Sequence, residues 1–298
     1  MPETYLNCYA LLEKVRIQLN EYSTAYVQGT DTTGKYSNTQ IIDGINAARK
    51  HIFNILFKRI PHVFETEAAL TGVASVYTLP ADFGILRYFK DSDGYQIYPI
   101  DQNQRRKTGE TGSDQHYYRR GNTLVLDKAG ITEVCTLIYY KKCRDITQGQ
   151  SSAGAAGSIT LATTAKKIAD YYNGMMIENV TKDWTDTITD YSSARVATIT
   201  ETAAASDYYG LICEMPEAFH HLYIPRAIFE ITGNFPIVQD RPTVGGTKSL
   251  GMTLFNENLM MAIQAFAGDS LDTYVEDLWC SYSGGGGGSN NPYNLPDH

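Results

Sequence analysis

Apolar side chains in the first sixty residues recur at helical spacing. Tyr5, Tyr9, Leu12, Val15, Leu19 and Tyr22 follow in steps of three or four, which puts them on one face of a helix over residues 4–22. A polar loop covers residues 23–35. Ser37 and Gln40 then stand three apart in the form of a capping box, the signature of a helix start. Behind them Ile41, Ile45, Ala48, Ile52 and Ile55 make a second stripe, widened by Ile42, Phe53 and Phe57, and Pro61 ends it.

The pattern then shortens to that of strands. Residues 73–79, 85–89, 96–100, 116–120, 123–127 and 134–141 are short runs of β-branched and aromatic residues, and Gly121-Asn122 between two of them reads as a hairpin turn. Residues 148–157 are Gly, Ala, Ser and Gln, the composition of a linker. Strand-like runs follow at 158–162, 175–180, 185–191 and 195–200, with a turn at Asn173-Gly174 and a second small-residue stretch at 203–206. These predict a small β module, inserted between linkers and making few contacts with the remainder.

Helical spacing returns after Pro216, which suits a first helical turn, with Phe219, Leu222, Ile228 and Ile231 on the apolar side. Pro225 inside this helix implies a kink or break, and Gly233-Asn234 ends it. A long amphipathic segment covers 247–279, with Gly268 as a bend. Five glycines, 284–288, lead to a short tip. The expected fold class is α+β: a helical bundle built from both chain ends, short antiparallel strands in the middle and an inserted small β module. The expected divisions are 1–148 (helix pair and β region), 149–208 (β module), 209–283 (C-terminal helices) and 284–298 (flexible docking tail).

The bulk properties narrow the function. No apolar run in the 298 residues approaches the roughly 20 needed to cross a bilayer, and the N-terminus lacks the layout of a signal peptide. Folding in a cytoplasm is expected, and the five scattered cysteines read as free thiols there. A net charge of −8 argues against a chain whose main task is gripping nucleic acid. Tyrosine is over-used, 22 against 10 phenylalanines, which suits either interfaces or strands.

Candidate chemistry fails on context. Gly29-x-x-x-x-Gly34-Lys35 lacks the hydroxyl residue of a phosphate loop, Tyr36 standing in its place, and follows a helix instead of a strand. Asp82-Phe83-Gly84 has no kinase motifs around it. Glu217-x-x-His220 has metal-ligand spacing but no second copy, so His220 and His221 read as a surface or interface pair. No nucleophile motif stands out; the expectation is no enzyme, no cofactor and no metal. Arg105, Arg106, Lys107, Arg119 and Arg120, with Lys141, Lys142 and Arg144, could form a basic contact patch.

Three stretches resemble the head-to-tail adaptor (connector, head-completion) proteins of tailed bacteriophages. They are the N-terminal helix pair with Ile41-Ile42-Asp43-Gly44-Ile45-Asn46-Ala47-Ala48, the corner Tyr77-Thr78-Leu79-Pro80-Ala81-Asp82-Phe83, and Met215-Pro216-Glu217-Ala218-Phe219-His220-His221-Leu222. In the corner, Pro80 keeps Leu79 extended and Asp82 can accept from the following amides. The resemblance implies a homo-oligomeric ring, usually of twelve copies, that joins the portal protein to tail or nozzle proteins and lets DNA pass without specific binding, with no membrane involved. It also implies a virion location at the head-tail junction. The tail supplies candidate anchors for a neighbouring subunit or the portal: Pro292, Tyr293 and Leu295 at the tip, with Trp279 and Tyr282 before the glycines. Two rival readings are another tail or baseplate protein and a host-surface or glycan binder acting through the β insert.

Overall fold

The computed structural model describes residues 6–31, 33–100, 116–127, 130, 132–233 and 247–267. Helix α1 (Cys8–Gln18) starts at Asn7, whose side chain accepts from the Ala10 amide at 2.7 Å. A single turn, α2 (Thr24–Val27), interrupts the polar loop. Helix α3 (Asn38–Arg59) starts at the expected capping box: Ser37 Oγ accepts from the Gln40 amide at 3.2 Å, and Gln40 Oε1 accepts from the Ser37 amide at 2.9 Å. Ile41, Ile45, Ala48, Ile52 and Leu56 are its fully buried stripe.

Seven strands follow: β1 (Glu65–Thr71), β2 (Val76–Thr78), β3 (Phe83–Lys90), β4 (Tyr98–Pro99), β5 (His116–Arg120), β6 (Thr123–Leu126) and β7 (Val134–Lys141). They form two sheets, ordered β1-β7-β3 and β2-β6-β5-β4, antiparallel except for β4 beside β5. Their inner faces close a core of their own around Tyr77, Phe89, Leu124, Leu137 and Tyr139. The alternation in β7 shows why. Cys135, Leu137 and Tyr139 point inward, and Val134, Thr136, Ile138 and Tyr140 point outward.

Seven more strands follow: β8 (Gln148–Gln150), β9 (Ala153–Thr160), β10 (Met176–Asn179), β11 (Trp184–Thr187), β12 (Asp190–Tyr191), β13 (Val196–Thr202) and β14 (Tyr208–Leu211). They make the sheets β11-β10-β14-β8 and β12-β13-β9. A 3₁₀ helix (Glu217–Leu222) leads into α4 (Tyr223–Thr232), which ends at Gly233 with φ +72°. Helix α5 covers Thr247–Ala267. Helices α1, α3, α4 and α5 and the strands after β8 share one core, in which Leu11, Ile45 and Ile228 join Ile159, Ile177 and Tyr209.

The helical bundle expected from both chain ends is therefore wrong. Among the described residues the fold is mostly β, with fourteen strands in four sheets and five α-helices. Helices from the two halves do touch: a Cβ on Gly44 of α3 would stand 2.6 Å from Ile231 Cγ1 of α4. Their remaining apolar faces, however, are covered by strands. Tyr9 of α1 packs on Tyr208 of β14, and a Cβ on Gly210 of β14 would stand 2.8 Å from the Tyr9 backbone nitrogen. An amphipathic stripe states that a face is buried; it does not state whether a helix or a sheet covers it.

Residues 148–157 are not a linker. They form β8 and much of β9, and the strands beyond them pack into the helical core instead of standing apart. The break expected at Pro225 takes the form of the change from 3₁₀ to α at Leu222–Tyr223, which leaves Pro225 in the first turn of α4, where a missing N–H costs nothing.

Candidate interaction surface

The Leu79–Phe83 corner and the Gly121-Asn122 hairpin turn meet at one edge of the first β core. Leu79 donates its amide to Asn122 O at 3.0 Å, and Phe83 donates to Pro80 O at 3.0 Å, closing the turn between β2 and β3. Asp82 does not accept from the following amides as expected. Its Oδ1 accepts from the Tyr139 hydroxyl at 2.6 Å, and its Oδ2 lies 3.6 Å from Lys141 Nζ. The corner is thus tied across to β7, and the bond adds to the burial that keeps the Tyr139 phenol well above its ordinary pKa.

Of the candidate basic patch, the structure brings Arg119 and Lys141 to this corner. Arg119 lies 5.2 Å over the Phe83 ring, and Phe83 pairs with Lys141 across the ladder. Arg120 ends the same strand, β5. Arg144 does not belong to the patch: it is buried and pairs with Glu214. Arg105, Arg106 and Lys107, like the tail residues Trp279, Tyr282, Pro292, Tyr293 and Leu295, lie outside the described residues.

The outer face of the β1-β7-β3 sheet carries a feature that motif reading missed. Ladder pairing puts Val134, Ile138, Tyr88 and Ile85 on that face, with Ala69 and Thr136 between them and the charged Glu67 and Lys90 on the flanking strands. Ile85 and Val134 are about half exposed, at 54% and 50%, and Val73 at the end of β1 is 74% exposed. A Glu65–Arg87 ion pair borders the apolar strip. Phe57 of α3 covers only one end of it, edge-on to Tyr140 at 5.3 Å. The signal was available as apolar residues at both parities of 134–141, which marks a strand with two apolar faces.

His220 is not a surface residue. It is buried, and its Nε2 donates to Met215 O at 2.8 Å, which fixes the start of the 3₁₀ helix. The over-used tyrosines also serve the interior. Tyr172 and Tyr209 accept from the Lys166 and Ala162 amides at 3.1 and 2.8 Å, and Tyr191 donates to Lys166 O at 2.7 Å. Each buries a ring and spends its hydroxyl on a loop backbone that no ladder satisfies.

The sequence profile of the SU10 adaptor protein family matches residues 6–161, just over half of the chain. The chain belongs to the SU10 adaptor protein family. The match covers α1 through β9 and so includes two of the three resembling stretches, the α3 motif and the Leu79–Phe83 corner; residues 215–222 lie beyond it. Membership makes this a bacteriophage adaptor, a structural component of a virion that acts by contact with other virion components. No curated protein matches the chain. No helix among the described residues is long and apolar enough to cross a membrane.

Proposed function

We propose that this adaptor forms a ring, of twelve copies as the resemblance implies, that seats on the portal vertex, extends the DNA channel and receives tail or nozzle proteins. It works by binding alone, without catalysis or cofactor. The observation that carries the reading is the family match across α1 to β9. Two features of the chain support it. The apolar strip on the outer face of the β1-β7-β3 sheet, bordered by Glu67, Lys90 and the Glu65–Arg87 pair, offers an assembly surface of the kind that a lone monomer rarely leaves open. The net charge of −8 suits a channel wall that must let DNA slide. The residues 281–298 serve as a docking arm, with the glycines giving reach and Pro292, Tyr293 and Leu295 the anchor.

Negative-stain imaging of the protein alone and mixed with its portal tests the reading. Rings that cap the portal are the expected result. Stacked tubes, or monomers that ignore the portal, would sink it. Truncation after Tyr282 separately tests the arm: capping of portals at full efficiency by the truncated chain rules it out.

A further inference from the structure

Three arginines are buried among the described residues, and they are not compensated alike. Arg16 is 3.4 Å from Glu21, and Arg144 is paired with Glu214. Arg49, 1% exposed in the middle of α3, has no carboxylate within ion-pair distance among the described residues. Its Nη1 donates to Asn46 Oδ1 at 3.1 Å and to Arg144 O at 2.9 Å, both neutral. Its Nε donates to Cys213 Sγ at 3.2 Å. A guanidinium does not give up its proton in a protein, and a buried charge without a counter-charge is among the costliest arrangements a fold can hold. The group touching Arg49 that can become an anion near neutral pH is the Cys213 thiol.

We propose that native Cys213 is a thiolate, the counter-charge of Arg49, and that this pair is a pH-sensitive latch joining α3 to the segment that begins the C-terminal helices. The surroundings bear this out from every side. Burial alone would push the Cys213 thiol up; the Arg49 charge, then contacts with His220 and Tyr223, outweigh it and bring it down to about 6. The Tyr223 hydroxyl of α4 stands 3.5 Å from Sγ. Cys8 of α1 is equally buried but is not bonded by Arg49, and burial drives it up to about 12. Cys143, on the linker after β7, is raised as well. Glu214 is adjacent, but Arg144 takes both of its oxygens. His220 commits Nε2 to Met215 O and lies against Cys213, where it adds to the effect of Arg49.

The latch has a direction. The folded pKa lies below the unfolded value, so the pair contributes fully above the ordinary thiol pKa near 9, progressively less as pH falls, and nothing below about 6. That window lies above the one in which carboxylates titrate.

The full chain is titrated from pH 8.5 to 5 while thiolate absorbance near 240 nm is followed. One thiolate is expected to disappear with a midpoint near 6, to persist in Cys280→Ser and to be missing in Cys213→Ser. Arg49→Met moves the midpoint up by two or more pH units. The wild-type urea midpoint rises between pH 6 and 8, and this rise is reduced in Arg49→Met to the part that His51 supplies, since burial and Arg226 hold that imidazole below its ordinary pKa. The proposal is overturned if native wild-type protein shows no thiolate titrating below pH 7.5, or if the step is lost in Cys280→Ser. It is overturned as a latch if the urea midpoint stays level from pH 6 to 8. The wild-type and Cys280→Ser titrations decide the matter even if the other two variants do not fold, and none of these readouts depends on ring formation.

Discussion

The β unit of residues 65–141 and the body formed by α1, α3, the strands after β8 and the C-terminal helices solve the same burial problem by different means. The β unit closes over an apolar core, and among its described residues no charged one is buried there; Tyr77, for example, spends its hydroxyl on Glu133 O at 3.1 Å. The body buries Arg16, Arg49 and Arg144. The difference follows from connectivity. In the β unit the ladders themselves align the segments, whether close in sequence, as β5 and β6 are across Gly121-Asn122, or far apart, as β1 and β7 are. In the body, helices and loops far apart in sequence must also find one another without a ladder between them. Directional groups do this: Asn46 exchanges two hydrogen bonds of 2.9 Å with the Ile146 backbone, and Arg144 reaches the Tyr171 and Asn173 carbonyls at 3.2 and 2.7 Å. Apolar contact supplies stability in both regions; only in the body does it need polar groups to say which segment goes where.

The strongest way to break this comparison is Arg144→Ala. The substitution leaves the Tyr171 and Asn173 carbonyls and one side of the part-exposed Glu214 carboxylate without their donor, and a gap where the buried guanidinium lay, a loss of about 3–5 kcal/mol in all. Amide exchange should show protection falling at Asn179 and Leu211 in the body while Leu137 in the β unit keeps its own. If Leu137 is lost in step with them, the two regions unfold as one and the contrast has no energetic meaning. The converse change is Leu137→Ala, a fully buried residue on the middle strand of its sheet. About 2–5 kcal/mol should be lost, and the exchange pattern should reverse.

The β unit was also the part most legible in the sequence. Residues 116–120 and 134–141 are strands with the expected bounds, and the turn at Gly121-Asn122 is where alternation placed it. The capping box at Ser37 and the stop at Gly233 were equally plain, because each depends on one or two local residues. The body was misread where close packing imitates flexibility. At Gly154 a Cβ would meet the Ala203 and Ala204 backbones at 2.7 Å, and at Gly149 it would meet the Ala162 Cβ at 2.6 Å. Two small-residue stretches looked like a pair of linkers; they are the places where two backbones touch. Strand β1, Glu-Thr-Glu-Ala-Ala-Leu-Thr, escaped notice because it has little β-branched or aromatic content and is a strand by virtue of its partner β7. The site fared less well than the fold. The basic residues at Arg119 and Lys141 were visible as a cluster, but Arg144 was counted as surface because charge alone does not reveal a buried partner.

A third test addresses the seam where helices from the two halves of the chain meet. Gly44→Ala should raise helix propensity by about 1 kcal/mol. It also places a methyl 2.6 Å from Ile231 Cγ1 and 3.3 Å from the Ala227 carbonyl. The Ile231 side chain can yield but the Ala227 backbone cannot, so overpacking, typically about 1–3 kcal/mol, wins. The net expectation is a destabilisation of about 1 kcal/mol in the urea midpoint, confined to the body. A stabilised variant would mean that α4 shifts freely on α3 and that the seam is not close-packed.

The smallest expected effect is the most local. Ser37 is exposed, so replacing it creates no cavity and strands no buried group; what it removes is one cap. Ser37→Ala should therefore cost about 1 kcal/mol, and Ser37→Gly only a few tenths, since glycine leaves the turn free to solvate its own amides. The cap has one route into the body's polar registration. The first residue of α3 is Asn38, and its Oδ1 accepts from Arg16 Nε at 3.2 Å and from Arg16 Nη2 at 2.6 Å. If fraying at Ser37 reached Asn38, the buried Arg16 would keep only Glu21 and the Tyr36 carbonyl, and the loss would exceed that of a simple cap. Comparing Ser37→Ala with the double change Ser37→Ala, Asn38→Ala separates the two cases. Additive effects would show that α3 starts independently of α1. A double variant no worse than about the Asn38→Ala change alone would show that the cap acts mainly by holding Asn38 on Arg16, and so that even an exposed serine takes part in aligning the segments of the body.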